Sequence, residues 1–136
     1  ARGDSGMPQD FAKANELFLR AGELGRAEGY FNLGYSYEIG RDVEVDKKKS
    51  NHYYELAAMG GCVHARHNLG CMEVHAGNEH RSFKHFILSA KAGHKLSLDV
   101  VKVGFMNGIV TKDEYANTLR AYHKRNNEIK SDARDR

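Results

Sequence analysis

Small and apolar residues recur at helical spacing along the chain, and the clearest example spans residues 27–61. Its first half places glycines, one leucine and one tyrosine on a single helical stripe: Gly29, Leu33, Gly34, Tyr37 and Gly40. Its second half repeats small and aromatic residues at i, i+3, i+4, i+7 and i+8: Ser50, Tyr53, Tyr54, Ala57 and Ala58. The pattern predicts two short amphipathic helices that pack against each other.

This helix–turn–helix unit recurs in the flanking sequence. A shift of 36 residues places residues 32–34 on residues 68–70, and both segments read Asn-Leu-Gly. A further shift of 32 residues places Tyr54 on Phe86, so the third unit is shorter than the second. Self-similarity at this period is the signature of a helical repeat array. We therefore divide the chain into an incomplete repeat at 1–25, a complete repeat at 26–61, a short repeat at 62–93 and a degenerate repeat with a C-terminal capping helix at 94–136.

Capping residues stand where the second helix of each unit should begin: Asp10, Asp46, Asn78 and Thr111. Thr111 and Glu114 also form a T-x-x-E capping box, in which each side chain accepts from the other residue's backbone N–H. Asp42 is a residue type that tolerates a left-handed backbone in the connection that it occupies. We predict an all-α fold of about seven helices, an α/α solenoid whose helix–turn–helix repeats form a right-handed superhelix.

The first repeat lacks the helix that should precede it. Leu17 and Phe18 lie on the face of the predicted helix 11–24 that should pack against this missing helix. Leaving an aliphatic and an aromatic side chain in water is unfavourable, by roughly 1.5 to 3 kcal/mol each. We expect this end of the chain to pack on an upstream repeat or a second chain, or the helix to be poorly ordered.

Composition and charge narrow the class of protein. No apolar run approaches the roughly 20 residues that a membrane-spanning helix needs, and the N-terminal segment is too polar for a signal peptide. The net charge of +3 is small, which does not indicate a nucleic-acid partner. Cys62 and Cys71 are separated by about 13 Å along one predicted helix and cannot form a disulfide with each other. We therefore expect a cytoplasmic or nuclear protein that binds neither membrane nor nucleic acid.

The order of residues in the complete repeat resembles the Sel-one-like repeat (SLR) family, which is related to the tetratricopeptide repeats. Twelve positions of the family pattern are occupied by Leu33, Gly34, Tyr37, Gly40, Val43, Asp46, Lys49, Tyr53, Tyr54, Ala57, Ala58 and Gly61. The sequence looks most like SLR proteins of diatoms and similar protists, some of which carry a RING-type zinc domain upstream. The resemblance implies an α-solenoid that serves as an adaptor in protein complexes, with no catalytic residue and no cofactor.

In such solenoids, the stripe opposite the packing residues of each first helix lines a concave groove. The corresponding candidate groove residues are Glu28, Phe31, Asn32, Tyr35, Glu38, His64, His67, Asn68 and Cys71. Exposed rings beside amides suit a protein or peptide partner, because the rings provide contact area and the amides can bond to its backbone or carboxylate. The alternative is that Asn32 and Asn68 only tie neighbouring repeats together.

Four potential metal ligands lie on one face of the third unit's first helix: His64, His67, Cys71 and His75. Two residues at i and i+4 can share a metal ion, but a closed zinc site would need further ligands from a neighbouring helix. The same residues could be ordinary surface or groove histidines, or could make the groove sensitive to pH. The leading hypothesis is a non-enzymatic interaction scaffold; the alternatives are the substrate-recruiting arm of a RING-type ubiquitin ligase and a histidine-rich metal-binding protein.

Overall fold

The computed structural model describes residues 10–134 of the chain, and these residues form seven α-helices and no β-strand. The helices are α1 (Phe11–Glu23), α2 (Ala27–Ile39), α3 (Lys47–Met59), α4 (Val63–His75), α5 (Glu79–Lys91), α6 (Lys95–Met106) and α7 (Lys112–Arg134). The prediction of an all-α fold with about seven helices is confirmed. Over the same residues, no helix combines the length and the apolar character needed to cross a lipid bilayer.

The chain divides into two compact units, residues 1–62 and residues 63–136. In the first unit, α2 packs against both α1 and α3. In the second unit, α5 packs against α4, α6 and α7, and α6 also packs against α7. Helix α2 therefore contacts both other helices of the first unit, and α5 contacts all three other helices of the second unit.

Close approach of an aromatic ring to a helix backbone recurs in both units. A methyl group at Gly34 of α2 would lie only 2.8 Å from the Tyr54 ring, and one at Gly70 of α4 would lie 2.8 Å from the Phe86 ring. Leu33 and Leu69, which precede these glycines, are buried. The predicted alignment of residues 32–34 with residues 68–70 thus corresponds to the same packing device, in which glycine lets a ring reach the neighbouring helix.

The degenerate repeat differs from the others at the position of the close approach. The 32-residue shift places Lys102 where a glycine is expected, and Lys102 is exposed. The close approach occurs instead at Gly104, where an added methyl group would lie 2.4 Å from the Phe83 ring. On α7, Thr118 is fully buried, and the neighbouring residues that face the core are half-buried: Tyr115, Ala116, Leu119 and Tyr122.

Helix capping follows the prediction at three of the four positions. The side chains of Asp10 and Asp46 accept hydrogen bonds from backbone N–H groups three residues later, at 3.0 and 3.1 Å. The capping box of Thr111 and Glu114 is present, with bonds of 2.9 and 3.1 Å. Asn78 precedes α5, but its side chain makes no capping bond; the helix carries an acidic residue in its first turn instead, which favours the N-terminal end of the helix dipole.

Two further expectations concern the connections and the cysteines. Asp42 has φ of +56°, so the left-handed backbone predicted for it is confirmed. Cys62 lies one residue before α4 and not on the helix that carries Cys71; both cysteines are half-buried, and among the described residues neither is in a disulfide.

The N-terminal helix α1 is partly covered by the connection between α2 and α3. Leu17 is 55% exposed within the described part of the chain. Phe18 is only half-buried, and the guanidinium carbon of Arg41 lies 5.9 Å from the centre of its ring. The same guanidinium lies 4.8 Å from the ring centre of Phe11. The chain therefore supplies part of the cover for Phe18 from its own loop, whereas Leu17 remains largely in water.

Candidate partner-binding surface

The candidate residues of the first unit lie on one face of α2, here called the α2 face: Glu28, Phe31, Asn32, Tyr35 and Glu38. Glu28 and Tyr35 are exposed, and the other three are half-buried. Their spacing of three and four residues brings them together along α2, because such residues are neighbours on a helix surface. The helix thus presents two rings, two carboxylates and an amide on one side.

Two residues of the α2 face also contact α3 through Tyr54. The Phe31 and Tyr54 ring centres are 5.6 Å apart, and the Tyr54 hydroxyl donates a 2.6 Å hydrogen bond to a carboxylate oxygen of Glu38. These contacts fix the orientation of Phe31 and Glu38. The Tyr35 ring is 41% exposed, and its orientation is limited by Arg41, whose guanidinium carbon lies 5.4 Å from the ring centre.

The candidate residues of the second unit lie on α4, on what is here called the α4 face: His64, His67, Asn68 and Cys71. His64 is exposed and the other three are half-buried. Cys71 packs against the apolar core that contains Phe86 and Val101, so part of its role is structural. His75, the last histidine of the predicted ligand set, is exposed at the end of α4.

His64 and His67 form a hydrogen-bonded cluster with two residues at the start of α6, here called the histidine cluster. His67 Nδ1 lies 2.7 Å from Ser97 Oγ, and His64 Nδ1 lies 3.1 Å from His94 Nε2. His94 also caps α6: its Nδ1 accepts the backbone N–H of Ser97 at 3.2 Å and lies 3.0 Å from Ser97 Oγ. The cluster joins the first turns of α4 and α6 within the second unit.

The environment of the cluster favours neutral imidazoles at His67 and His94. Burial lowers the pKa of His67, and the neighbouring His64 lowers it further. Burial also lowers the pKa of His94, with added repulsion from His67 and His64. Both effects act in the same direction, because a positive charge is disfavoured by loss of water and by like charges nearby.

Sequence reasoning did not identify His94 and Ser97 as parts of this site. Their contacts with α4 span 30 residues, so no local motif joins them to His64 or His67. One signal was available: under the 32-residue shift, the start of α6 aligns with the start of α4, where His64 lies. First helices of adjacent repeats lie side by side in solenoids, which would have placed position 94 close to position 64.

Within residues 10–134, no group of three or more histidine, cysteine, aspartate or glutamate side chains is arranged to hold a metal ion. Two neighbouring imidazole nitrogens, on His64 and His94, are hydrogen-bonded to each other.

The asparagines of the two faces differ from a structural asparagine elsewhere in the chain. Among the residues that the structure describes, no hydrogen bond involves the side-chain amide of Asn32 or Asn68, and both residues are half-buried. By contrast, Asn15 of α1 is only 7% exposed and both donates and accepts hydrogen bonds within the first unit. Buried asparagines that serve the fold are normally bonded in this way. The amides of Asn32 and Asn68 therefore retain bonding capacity.

Comparison with known proteins identifies the repeats. The sequence model of the Sel1 repeat matches residues 1–25, 27–62 and 63–94. A sel1-like repeat-containing protein of Acanthamoeba polyphaga mimivirus is 35% identical over 66 residues, which cover 48% of this chain and 12% of that protein. The chain therefore spans only a small part of this relative's length.

Two solved structures share the fold, each with a TM-score of 0.69. A Sel1 repeat protein from Oxalobacter formigenes is 20% identical and matches 88% of this chain and 52% of its own. A protective antigen of uropathogenic Escherichia coli strains, which displays an SLR fold, is 29% identical and matches 90% of this chain and 27% of its own. Together with the repeat matches, which cover well over half of the sequence, these similarities show that the chain belongs to the Sel1 repeat family.

Proposed function

We propose that this chain is a non-enzymatic scaffold that binds a partner protein or peptide through the α2 face and the α4 face. Sel1 repeat proteins are generally protein-interaction scaffolds, which supports the general role. The choice of these faces is supported most by Asn32 and Asn68, which occupy aligned positions in two repeats and keep their amides unbonded within residues 10–134. An amide can both donate to and accept from the backbone of an extended peptide.

The aromatic residues of the α2 face suit the same role. Tyr35 is exposed, and its contact with Arg41 reduces the number of orientations that the ring can adopt. A rigid exposed ring loses little conformational entropy on binding and contributes a large contact area. Phe31 and Glu38 are similarly oriented by Tyr54. The α2 face therefore combines fixed rings with an available amide.

A peptide library displayed on phage, selected against the intact chain, tests this proposal. Peptides that bind should lose at least about tenfold in affinity for the double variant Asn32→Ala, Asn68→Ala, because each lost hydrogen bond to a ligand contributes on the order of 1 kcal/mol. Tyr35→Ala should weaken the same peptides by a similar factor, because aromatic residues frequently dominate binding energy. Affinities are measured by isothermal titration calorimetry.

Asn127→Ala provides the matched control, since Asn127 is an exposed asparagine on α7 and belongs to neither face. Peptide affinity should be unchanged in this variant, and all variants should have the melting temperature of the wild type within a few degrees. Selected peptides that bind the double variant and Tyr35→Ala as tightly as the wild type would show that the binding surface lies elsewhere.

A further inference from the structure

We propose that His94 is a pH-dependent cap of α6, which fastens the first turn of this helix to α4 at neutral pH and releases it on acidification. The inference rests on the hydrogen bonds of the histidine cluster and does not depend on the proposed function. Helices are usually capped by serine, threonine, aspartate or asparagine, none of which changes charge near neutral pH. Here the cap is an imidazole, a group whose charge does change near neutral pH.

His94 Nδ1 is the acceptor atom of the α6 cap. Because the backbone N–H of Ser97 donates to His94 Nδ1 at 3.2 Å, this nitrogen must carry a lone pair and the ring proton must be on Nε2. A proton added to the ring goes to Nδ1 and turns it into a donor. The cap of α6 is then lost, and the N–H of Ser97 faces another N–H.

The other hydrogen bonds of the histidine cluster depend on the same position of the His94 proton. With the proton of His94 on Nε2, this nitrogen donates to His64 Nδ1, 3.1 Å away. Ser97 Oγ, 3.0 Å from His94 Nδ1, can donate to His94 and accept from His67 Nδ1 at 2.7 Å. In this arrangement His94 Nδ1 and His64 Nδ1 both serve as acceptors. One proton on either His94 or His64 places two donors face to face and breaks the chain of bonds.

A positive charge on His94 is unfavourable at the start of α6. A protonated His94 would place a positive charge at the N-terminus of α6, where the helix dipole is also positive. The titratable groups that act on its charge are His67 and His64, both on α4, and both are repulsive when charged. Among the described interactions, α5 provides no negative charge to offset this one: it faces the cluster with the Phe86 ring and accepts the His94 backbone N–H at the Ser89 carbonyl.

Charged and titratable groups on α6 and α7 complete the surroundings. On α6, the next residue, Lys95, is paired with Asp99 at 2.5 Å, so the two charges largely cancel. Tyr115 and Tyr122 of α7 lie close enough to influence Lys95. The neighbouring helices therefore offer no unpaired carboxylate that would stabilise a charged His94 among the described interactions.

The lowered pKa values of His94 and His67 agree with this geometry and set the pH window. Both rings are held neutral in the folded chain, so their contribution to stability is fully present above the unfolded pKa of about 6.5. It is lost as the pH falls below that value, through the lowered pKa of the folded state. Acidification should therefore loosen the start of α6 first.

Amide hydrogen exchange of the full chain at about pH 7.5 and about pH 5 tests the inference, because it reports local opening once the intrinsic pH dependence is subtracted. Protection of the amides at 96–98 should fall about five- to tenfold on acidification of the wild type, the range expected for loss of a cap. His94→Asn retains a cap that does not titrate and should show less than about a twofold change. His80→Asn, at an exposed histidine in the first turn of α5, should behave like the wild type.

Equal loss of protection in the wild type and in His94→Asn, or no loss in the wild type, would overturn the inference. Nitrogen NMR of the wild-type imidazoles provides a test that needs no variant. At about pH 7.5, His94 should carry its proton on Nε2, and both ring nitrogens should become protonated in the same pH range in which the α6 amides lose protection. Protonation of His94 with the α6 amides still protected would equally refute the proposal.

Discussion

At the scale of single residues, Asn15 joins three segments of the first unit. Its side-chain oxygen accepts the Ser36 hydroxyl at 2.7 Å, and its side-chain nitrogen donates to the Arg41 backbone carbonyl at 3.0 Å. Arg41 Nη2 donates back to the Ser36 hydroxyl oxygen at 3.0 Å. The three residues thus close a ring of hydrogen bonds that links α1, α2 and the connection after α2.

Asn15→Ala should lower the free energy of unfolding by about 1 to 3 kcal/mol, because it leaves a buried hydroxyl and a carbonyl without their partner. Asn32→Ala removes an amide with no hydrogen bond among the described residues and should cost less than about 0.5 kcal/mol. Urea denaturation of both variants measures the difference. A loss at Asn32 as large as that at Asn15 would favour the alternative in which Asn32 ties repeats together.

These residues also show what the sequence could predict about single positions. The packing stripes of α2 and α3 follow from their periodicity, because helical spacing alone decides which residues share a face. Asn15 and Thr118 are buried polar residues, and their burial depends on partners that the pattern does not contain. The role of His94 depends on α4, about 30 residues away, and capping chemistry alone does not select histidine.

At the scale of elements, helices α2 and α4 are positioned by a leucine followed by a glycine. Leu33 and Leu69 are almost fully buried, and each adjoins the glycine against which an aromatic ring of the next helix packs. In α2 the contact is reinforced, because the Ser50 hydroxyl donates to the Gly34 carbonyl at 2.8 Å. In the second unit the aligned Ser82 bonds instead to the Glu79 carbonyl of its own helix.

Leu33→Ala and Leu69→Ala should each reduce the free energy of unfolding by about 2 to 5 kcal/mol, the usual cost of emptying a packed leucine site. Chemical denaturation monitored by circular dichroism gives both values. As a control, Leu96→Ala removes a leucine that is mostly exposed on α6 and should cost far less. Similar losses at all three sites would mean that burial does not determine their contribution.

At the scale of the whole molecule, the repeat family and helix content were predictable because similar segments recur with a period of 36 or 32 residues. The binding faces remain a proposal, since the same period says nothing about which side chains meet a partner. What covers the exposed part of α1 is likewise a proposal. We propose that the side of α1 carrying Leu17, which is largely in water, is covered by an upstream repeat or by a second chain.

Adding a helix before α1 tests this proposal directly. A copy of residues 26–36, fused before residue 1, stands at the position of a repeat's first helix under the 36-residue shift. Because it would bury Leu17, the fusion should raise the melting temperature by several degrees. The same fusion carrying Leu17→Gln should show a smaller rise in melting temperature. If the chain sediments as a monomer at all concentrations and the fusion is no more stable, the side of α1 needs no cover.

The hydrogen bond between Tyr54 and Glu38 has a consequence for how the repeats can differ. Under the two shifts, Tyr54 aligns with Phe86 and Glu38 aligns with Val74, so the hydroxyl and the carboxylate are both absent from the later copy. Exchanging only one member would create a polar group without its partner: Phe86→Tyr adds a hydroxyl where the aligned position offers valine, and Tyr54→Phe leaves a carboxylate behind. Such half-exchanges are penalised, whereas the paired exchange is close to neutral. The interchangeable unit between these copies is therefore the contact and not the residue.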